Sequence, residues 1–298
     1  MIQNDGLSIP DSYLEAWAKY IDRYVDKYYD NMFARNIFEV RKVDESVQID
    51  VVVDYTASGT GAKIVAKGSV PTGVTGMRQQ TSKQDIFQFF DQFVVHEKDL
   101  KSGPELYNKA LDKCLKNIHR LEDTVSINGD ATLNIKGIVG AAQANANGTI
   151  GAADNAGVWG SGTHDPHADI VKAMRQLDGN YDDTQLFLVG NPLDFGYLTN
   201  LDSERQPYWK TMAPLFGYSE QDKPYKTWIK RSKQFTPGKV YLAVKSAEVA
   251  EFVVSENPAP DRLPKAAGGN YPVEVKGWAV PRIYVNEGFV EIEVGTTA

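Results

Sequence analysis

The sequence predicts an α+β fold in which one long helix supports two groups of strands. Three observations indicate this. Residues 103–128 have the apolar spacing of a single amphipathic helix. Residues 165–254 alternate between helical and strand patterns, and residues 271–294 form a strand–turn–strand segment. The chain has 298 residues, 42% of them hydrophobic, which is enough for one large core or two modest ones.

The first predicted helix begins at a capping-box pattern in residues 12–15. Trp17, Tyr24 and Tyr28 lie on a narrow apolar stripe of this helix. Terminal segments are usually loose unless they dock onto something. Two interpretations therefore stay open: the helix packs on the core of its own chain, or it is an arm that packs on a neighbouring subunit.

Two strands, at residues 36–40 and 47–53, are predicted next, followed by a segment of different character. Residues 54–82 are rich in glycine, including Gly59 and Gly61, and contain Lys63 and Lys67 beside a short strand pattern. This composition predicts an extended hairpin or loop with little core of its own. Loops of this length usually have a function or are bound by a partner.

An aromatic strand at residues 84–95 leads into the long helix, which we call the spine helix. Pro104 fits its first turn, and Asn128-Gly129 ends it, because both residues tolerate the left-handed conformation. Its length is roughly 35 Å at 1.5 Å per residue. Cys114, the single cysteine, lies on the apolar stripe and is predicted to be a core residue. One cysteine excludes an internal disulfide and a cysteine-rich metal site.

An α/β block is predicted from residue 165. A helix begins at Asp165-Pro166, a buried strand covers residues 185–189, a second helix follows Asn191-Pro192, and two strands cover residues 239–244 and 249–254. Prolines and glycines between residues 258 and 269 are predicted to end the block. The last strands, within residues 271–294, are expected to pair with the strand at residues 47–53.

Charge and composition restrict the possible functions. The net charge is −7, whereas proteins that bind nucleic acid tightly are usually basic, so the basic run at residues 226–233 is interpreted first as a solvated strand or loop. No signal peptide pattern and no apolar run of membrane-spanning length are visible. We therefore expect a soluble protein made in a reducing cytoplasm.

Motifs that would indicate catalysis are weak. Residues 58–63 superficially resemble a phosphate-binding loop, but the glycine and lysine spacing is wrong. His164, Asp165, His167 and Asp169 are possible metal ligands, but Asp165 is better explained as a helix cap. His96 and His119 have no nucleophile or acid partner implied by spacing. The sequence predicts no catalytic residue, no cofactor and no metal, and an α/β enzyme centred on residues 164–192 is the least favoured function.

The order of the segments resembles the Hong Kong 97-type fold of tailed-virus major capsid proteins, which encapsulin shells share. The closest local likeness is the end of the spine helix, residues 122–130 followed by residues 135–138. Residues 93–100 resemble the strand entering the spine, and Trp159 with residues 186–192 resembles the start of the axial domain. The resemblance covers nearly the whole chain and depends on order and spacing rather than on one motif.

The resemblance implies a division of the chain into structural parts. Residues 1–35 would be an N-terminal arm, residues 54–82 an extended loop, and residues 140–268 the axial domain. The peripheral domain would combine a strand segment with the spine and the return strands, at residues 36–53, 83–139 and 269–298. Assembly contacts would involve the arm and the extended loop, at Trp17, Tyr24, Tyr28, Gly59, Gly61, Lys63 and Lys67.

The implied function is a major capsid protein, not an enzyme, that assembles into an icosahedral shell enclosing double-stranded viral DNA. Its partners would be copies of itself in hexamers and pentamers, DNA bound without sequence specificity, and portal, decoration or separate scaffolding proteins. It would be located in the virion capsid after synthesis in the host cytoplasm. The alternative is an encapsulin shell enclosing a cargo enzyme, which the aromatic N-terminal helix favours. Lysine–asparagine cross-linking, known in some family members, has no identifiable asparagine or glutamate here.

Overall fold

The computed structural model describes residues 32–45, 47–58, 76–96, 105–145, 150, 159, 166–177, 185–201, 206–262 and 270–295. The α-helices are α1 (Phe33–Ile37), α2 (Glu105–Asn128), α3 (Ile138–Gln143), α4 (Pro166–Leu177) and α5 (Tyr208–Met212). Short 3₁₀ helices cover Asp194–Thr199, Ala213–Phe216 and Asn286–Gly288. The strands are β1 (Glu39–Lys42), β2 (Ile49–Ser58), β3 (Gly76–Asp85), β4 (Phe87–His96), β5 (Gln185–Gly190), β6 (Ile229–Arg231), β7 (Lys239–Lys245), β8 (Ala250–Arg262), β9 (Asn270–Ile283) and β10 (Phe289–Glu293).

The strands form two four-stranded sheets and one separate hairpin. The first sheet has the order β1-β8-β9-β4, with β1 parallel to β8 and the other neighbours antiparallel. The second has the order β10-β7-β5-β6, in which only β5 and β6 are parallel. Strands β2 and β3 pair only with each other among the described strands. This mixture of helices with largely antiparallel sheets confirms the predicted α+β class.

The spine helix α2 lies against the first sheet, as its one-sided apolar pattern predicts. Its buried stripe includes Leu111, Cys114, Leu115 and Ile118. The edge of the Phe93 ring meets the ring of Tyr107 with centroids 5.2 Å apart, which joins β4 to the first turns of the helix. Burial of Cys114 confirms its predicted core position and raises the pKa of the thiol to about 12.

Two details of the predicted spine stripe differ from the structure. Leu121, expected in the stripe, is 46% exposed, because it lies about 100° around the helix from the buried position 122. Glu122, the polar exception in the pattern, is buried instead. The helix ends at Asn128 as predicted, and Gly129 has the left-handed φ of 75° that closes it.

The predicted pairing of the C-terminal strands with residues 47–53 is wrong. Strand β9 pairs with β8 and β4, while β10 pairs with β7 in the second sheet. Strand β2 is already paired with β3, the next strand along the chain. Strand β9 pairs on both of its sides, with β8 and β4, so it has no free edge for β2.

The predicted end of the strand at residue 254 is also wrong, because β8 continues through Pro258 and Pro260 to Arg262. Register shifts between Val254 and Glu256 and between Glu256 and Ala259 accommodate the prolines. Opposite them, a Cβ atom on Gly277 would lie 2.8 Å from the Pro258 nitrogen, so only glycine permits this approach.

Three further segments depart from their predicted form. Residues 36–40, expected to be a strand, contain the end of α1 followed by the start of β1. The helix expected after Asn191-Pro192 is only a short 3₁₀ helix, Asp194–Thr199. Helix α1 crosses the predicted boundary between the arm and the peripheral domain at residue 35. Strand β8, in the predicted axial domain, joins the sheet of β1, and strand β10, in the predicted peripheral domain, joins the sheet of β7. The division into domains remains a prediction.

Candidate assembly surfaces

The base of the β2–β3 hairpin has its apolar and charged side chains on unexpected faces. Ile49 and Val51 point to one face and are 51% and 49% exposed, whereas Asp50 between them is buried. A half-buried strand of a monomer normally shows the opposite alternation. The outward apolar face of this hairpin base therefore lacks a covering layer from the described residues.

Two arginines hold Asp50 in place, in a group of residues that we call the hairpin anchor. The Arg282 side chain donates to the Asp50 carboxylate and, at 3.1 Å, to the Asp50 backbone carbonyl. Arg41 donates to Asp50 at 2.7 Å and to Glu251 at 2.7 Å. Tyr284 donates its hydroxyl to the same Glu251 oxygen at 2.7 Å. The anchor joins β1, β2 and β8 to the end of β9, so it fixes where the hairpin leaves the first sheet.

The electrostatics of the hairpin anchor favour its charged form. Partial burial alone would lower the pKa of Arg41, but its hydrogen bonds to Asp50 and Glu251 outweigh this and raise it. Burial raises the pKa of Tyr284, and the hydrogen bond to Glu251 raises it further. Arg41 therefore stays cationic, and the Tyr284 hydroxyl stays a donor, throughout the physiological pH range.

A polar crevice of about 600 Å³ separates the hairpin base from the turn after the spine helix. Lys83 and Gln84 line it on the hairpin side, while Asp130 and Lys136 line it on the other. The hairpin base therefore faces the rest of the chain through ion pairs and a crevice, while Val47 and Ile86 beside it pack in the core.

The turn beyond the spine helix is held by a close approach of two glycines. A Cβ atom on Gly137 would lie 2.3 Å from the Gly129 nitrogen, and Asp130 and Ile135 exchange two backbone hydrogen bonds of 2.8 Å. The Asp130 carboxylate accepts from Thr132, which lowers the pKa of Asp130. These residues belong to the segment on which the resemblance to capsid proteins was based.

Strand β4 presents a second exposed apolar face. It lies at the edge of the first sheet, and its buried residues alternate with outward residues that include Phe90 and Val94, which are 48% and 52% exposed. Edge strands with exposed apolar side chains are sites where another chain pairs or packs.

A buried ionic group joins α1 to the spine helix, and we call it the spine junction. Arg35 donates to the two carboxylate oxygens of Glu122 at 2.9 and 3.3 Å and to the Asn257 side chain at 2.8 Å. His119 lies 3.0 Å from Glu122, one turn earlier on the spine helix. Burial would raise the pKa of Glu122, but the hydrogen bond with His119 and the charge of Arg35 lower it overall. Glu122 is therefore ionised in the folded chain.

Asp123, the next residue, caps the amino end of α1 from a distance of 89 residues in sequence. Its carboxylate accepts from the Ala34 backbone amide at 3.0 Å and also from that of Phe33. The residue before α1, Met32, gives no side-chain cap. Burial raises the pKa of Asp123 to about 7, and the neighbouring charge of Glu122 contributes, although the backbone hydrogen bonds act in the opposite direction.

The assembly residues predicted from the sequence all lie outside the described residues: Trp17, Tyr24, Tyr28, Gly59, Gly61, Lys63 and Lys67. They therefore remain predictions. The sequence analysis did not identify Asp50, Arg282, Arg35 or Asp123. A signal was present for Asp50, because an acidic residue interrupts an apolar strand run, and for Glu122, which interrupts the apolar stripe of the spine. Nothing in the sequence marks Asp123 as a cap for a helix so far away.

The residues weighed for catalysis fall only partly within the described part of the chain. His164 and Asp165 lie outside the described residues, and Asp169 is buried, accepting from the Trp159 indole at 2.8 Å. No group of three histidine, cysteine or acidic side chains with metal-binding geometry exists within the described part of the chain. Of the phosphate-loop candidate, only Ser58, at the end of β2, is described.

Among the described helices, none is both long enough and apolar enough to cross a membrane.

Comparison with known proteins shows likeness in structure but not in sequence. No protein-family model matches the chain, and no curated protein is detectably similar in sequence. A chain of the capsid of a native GTA particle superposes with a TM-score of 0.68 at 10% identity, covering 89% of this chain and 90% of that one. A chain of the capsid of Myoviridae phage XM1 has a TM-score of 0.61 at 11% identity, covering 88% and 91%.

A third structure extends the likeness beyond phages. The virus-like particle from Pyrococcus furiosus superposes with a TM-score of 0.60 at 15% identity, covering 94% of this chain and 99% of that one. With sequence identities this low, the comparisons show the fold. The chain has the Hong Kong 97-type fold, the fold of capsid and shell subunits, as the resemblance implied.

Proposed function

We propose that this chain is the major capsid protein of a tailed bacteriophage, which assembles into an icosahedral shell around double-stranded DNA. The observation that supports this most directly is the hairpin base, where Ile49 and Val51 face outward and Asp50 faces inward on a fold shared with capsid subunits. Such a surface is costly to leave in water and gains free energy when a neighbouring copy covers it.

The physical logic of a shell fits the remaining surfaces. The exposed face of β4 and the hairpin are separate patches, so one copy has several faces for different neighbours. Closed symmetry converts many such contacts into one stable particle. The net charge of −7 limits adhesion to packaged DNA, which needs to move during packaging and release.

Further parts of the proposal follow from a capsid role. The protein is structural rather than catalytic and is located in the virion after synthesis in the host cytoplasm. Its partners are hexamers and pentamers of itself, DNA held without sequence specificity, and portal, decoration or separate scaffolding proteins. The arm and the extended loop, including Trp17 and Lys63, provide contacts between neighbours.

An encapsulin shell enclosing a cargo enzyme is the second candidate. The observation in its favour is the superposition on the Pyrococcus furiosus virus-like particle, which covers 94% of this chain and 99% of the particle subunit. The TM-scores do not separate the two candidates, because the phage XM1 chain has 0.61 and the particle subunit 0.60. The long glycine-rich segment at residues 54–82 favours the phage-type shell.

Negative-stain electron microscopy tests the proposal. The protein is imaged after expression alone and again from its native source. Tailed particles filled with DNA are expected for a capsid protein, whereas small shells that are empty or contain protein would favour encapsulin. Discrete small oligomers under all conditions would reject a shell function.

Deletion of residues 56–80 tests the role of the extended loop. The deletion leaves Asp50 and the hairpin anchor in place, so the subunit is expected to fold with its circular dichroism spectrum almost unchanged. Assembly is expected to fail, because the loop no longer reaches a neighbour. Normal shells from this variant would reject the loop assignment.

A further inference from the structure

The edge of the second sheet at β6 combines exposed cationic and apolar side chains in a way that the hairpin does not. Residues 223–233 contain five of the 32 basic side chains of the chain and none of its 39 acidic ones. Lys223, Lys226, Arg231 and Lys233 make no ion pair with any residue in the described part of the chain, and all four are exposed. A cluster of unpaired like charges repels itself, so it is costly unless something outside the subunit neutralises it.

The cations have a defined position because the chain around them is packed. Trp228 and Ile229 are fully buried, and Ile229 to Arg231 pair in parallel with Leu188 to Gly190. The guanidinium carbon of Arg231 lies 4.1 Å from the centroid of the Tyr225 ring. A stacked Arg loses less side-chain entropy on binding than a free one.

An exposed leucine lies at the same end of the sheet. Leu193 is 72% exposed, the highest value among the large apolar residues described, and it follows β5 by three residues. Its backbone amide donates to the Asn191 side chain, which in turn donates to the Phe235 carbonyl. Tyr225 connects the two features, since its hydroxyl contacts the Phe195 carbonyl in the 3₁₀ helix next to Leu193.

We propose that this β6-edge surface, made of Leu193, Tyr225, Lys226, Arg231 and Lys233, binds an acidic face of a second copy of this chain. The inference rests on the proposed shell function and names a contact within it. Outside residues 223–233 the chain has 27 basic and 39 acidic residues, a net charge of −12, so another copy offers an excess of acidic side chains to the patch.

The composition of the surface favours a protein over a nucleic acid. Phosphate backbones are bound by cationic and polar groups, so an exposed leucine beside the cations would gain little from a DNA duplex. Protein interfaces, in contrast, combine an apolar residue with tyrosine and arginine and surround them with charge.

The sign of the charge also restricts the symmetry of the contact. If the patch lay on a two-fold axis, its cations would face their own copies and repel. The surface therefore fits a head-to-tail contact, in which the patch of one subunit meets a different, acidic face of the next. Repetition of such a contact generates a ring when the rotation closes.

The test compares charge reversals at two places on the full chain. The first variant is Arg231→Glu with Lys233→Glu. The matched control is Lys109→Glu with Lys113→Glu, two exposed cations on the outer side of the spine helix. Mass photometry and electron microscopy measure the protein concentration at which each protein assembles, at 0.05, 0.15 and 0.5 M salt.

We expect the β6-edge variant to need at least tenfold more protein for assembly at 0.15 M salt, and the control to stay within about threefold of the unaltered chain. Higher salt should weaken assembly of the unaltered chain and reduce the difference between the two variants. Leu193→Asp should impair assembly as well. If the glutamate pair prevents folding, as judged by circular dichroism, Arg231→Gln with Lys233→Gln replaces it with an expected intermediate effect.

Three outcomes would overturn the inference. The first is assembly of the β6-edge variants at the concentration of the unaltered chain. The second is salt-sensitive binding of a 30-base-pair DNA duplex that the variants lose while their assembly is normal, which would assign the patch to nucleic acid. The third is an unaltered chain that stays monomeric throughout. If the unaltered chain forms only small open oligomers, the shell function is rejected but this contact is not. The contact is then decided by whether the substitutions at Arg231 and Lys233 disrupt those oligomers.

Discussion

The spine junction and the hairpin anchor use the same chemistry for opposite purposes. In both, an acidic side chain in the interior is paired with arginine: Glu122 with Arg35, and Asp50 with Arg41 and Arg282. At the junction, apolar residues surround the pair, and the Phe252 ring lies 5.5 Å from the guanidinium carbon of Arg35. At the anchor, the neighbours Ile49 and Val51 point away from the pair into solvent.

This difference separates a region that completes its own core from one that leaves part of its apolar surface open. The junction fixes α1 on the spine within one subunit, so its disruption should reduce the stability of the folded chain. The anchor sets the direction of a hairpin whose outer face is uncovered, so its disruption should act more on assembly than on folding. The predictions below test that contrast.

The largest effect is expected from Glu122→Gln at the spine junction. The substitution leaves the Arg35 guanidinium buried without a counter-charge and removes the negative charge beside His119. Breaking one side of a buried ion pair typically costs about 3–5 kcal/mol. Urea unfolding followed by circular dichroism measures the loss.

The double variant Arg35→Met with Glu122→Met serves as the control. It removes both charges together, so it should be less destabilised than Glu122→Gln alone. A loss of stability below about 1 kcal/mol in the single variant would contradict the assignment of a tightly coupled buried pair.

A pH dependence of stability is expected from Asp123 at the same junction. Its folded-state pKa of about 7 lies above the ordinary value of 3.8, so the folded chain binds a proton more readily than the unfolded chain. Stability is therefore complete below about pH 4 and decreases as pH rises to about 7. One pKa unit corresponds to 1.36 kcal/mol, which gives about 2–4 kcal/mol after allowance for remaining solvent contact.

Asp123→Asn identifies this contribution. Its amide oxygen still accepts from the Ala34 amide, but the side chain does not titrate, so the slope of stability between pH 4.5 and 7 should flatten. Glu122 contributes only near pH 4.5, where its carboxyl titrates in the unfolded chain. Because its folded-state pKa is lowered, this contribution increases stability as pH rises, so it cannot produce the decrease toward pH 7. An unchanged slope in Asp123→Asn would show that another group controls the pH response.

The elements predicted correctly from the sequence are those whose pattern is formed by residues close together in the chain. The spine helix follows from the spacing of Leu111, Leu115 and Ile118, and its end follows from Asn128-Gly129. The strand β5 follows from an uninterrupted apolar run. These features depend on neighbours within one or two turns, which a sequence displays directly.

Features that depend on partners distant in sequence were not predictable in the same way. Asp123 caps α1 across 89 residues, and Arg282 reaches Asp50 across 232 residues. The continuation of β8 through Pro258 depends on Gly277 of the opposite strand. The capsid-type architecture was predicted because the order of the segments is itself a pattern, even though no single residue specifies it.

A smaller effect on folding is expected from Asp50→Asn in the hairpin anchor. Arg41 keeps Glu251 as a partner and is partly exposed, so the main loss is the charge that Asp50 presents to the buried Arg282. Charged hydrogen bonds of this kind contribute about 1.5–3 kcal/mol. Hydrogen exchange should accelerate in β2 and β3 more than in the spine helix, because the hairpin loses its fixed direction. Equal acceleration in both places would show that the anchor supports the whole core.

The smallest effect on folding, combined with a large effect on assembly, is expected from Val51→Thr. The side chain is half-exposed, so the hydroxyl remains hydrated, and the free energy of unfolding should change by no more than about 0.5 kcal/mol. The matched control is Val253→Thr on β8, where the same change buries a hydroxyl in a fully buried position and should cost about 1–3 kcal/mol. Assembly of the Val51 variant should require several-fold more protein, because the outer face of the hairpin base is less apolar, whereas the Val253 variant should assemble whenever it is folded. If the two variants instead lose assembly in proportion to their loss of stability, the hairpin base has no separate role at the interface, and the contrast between anchor and junction does not hold.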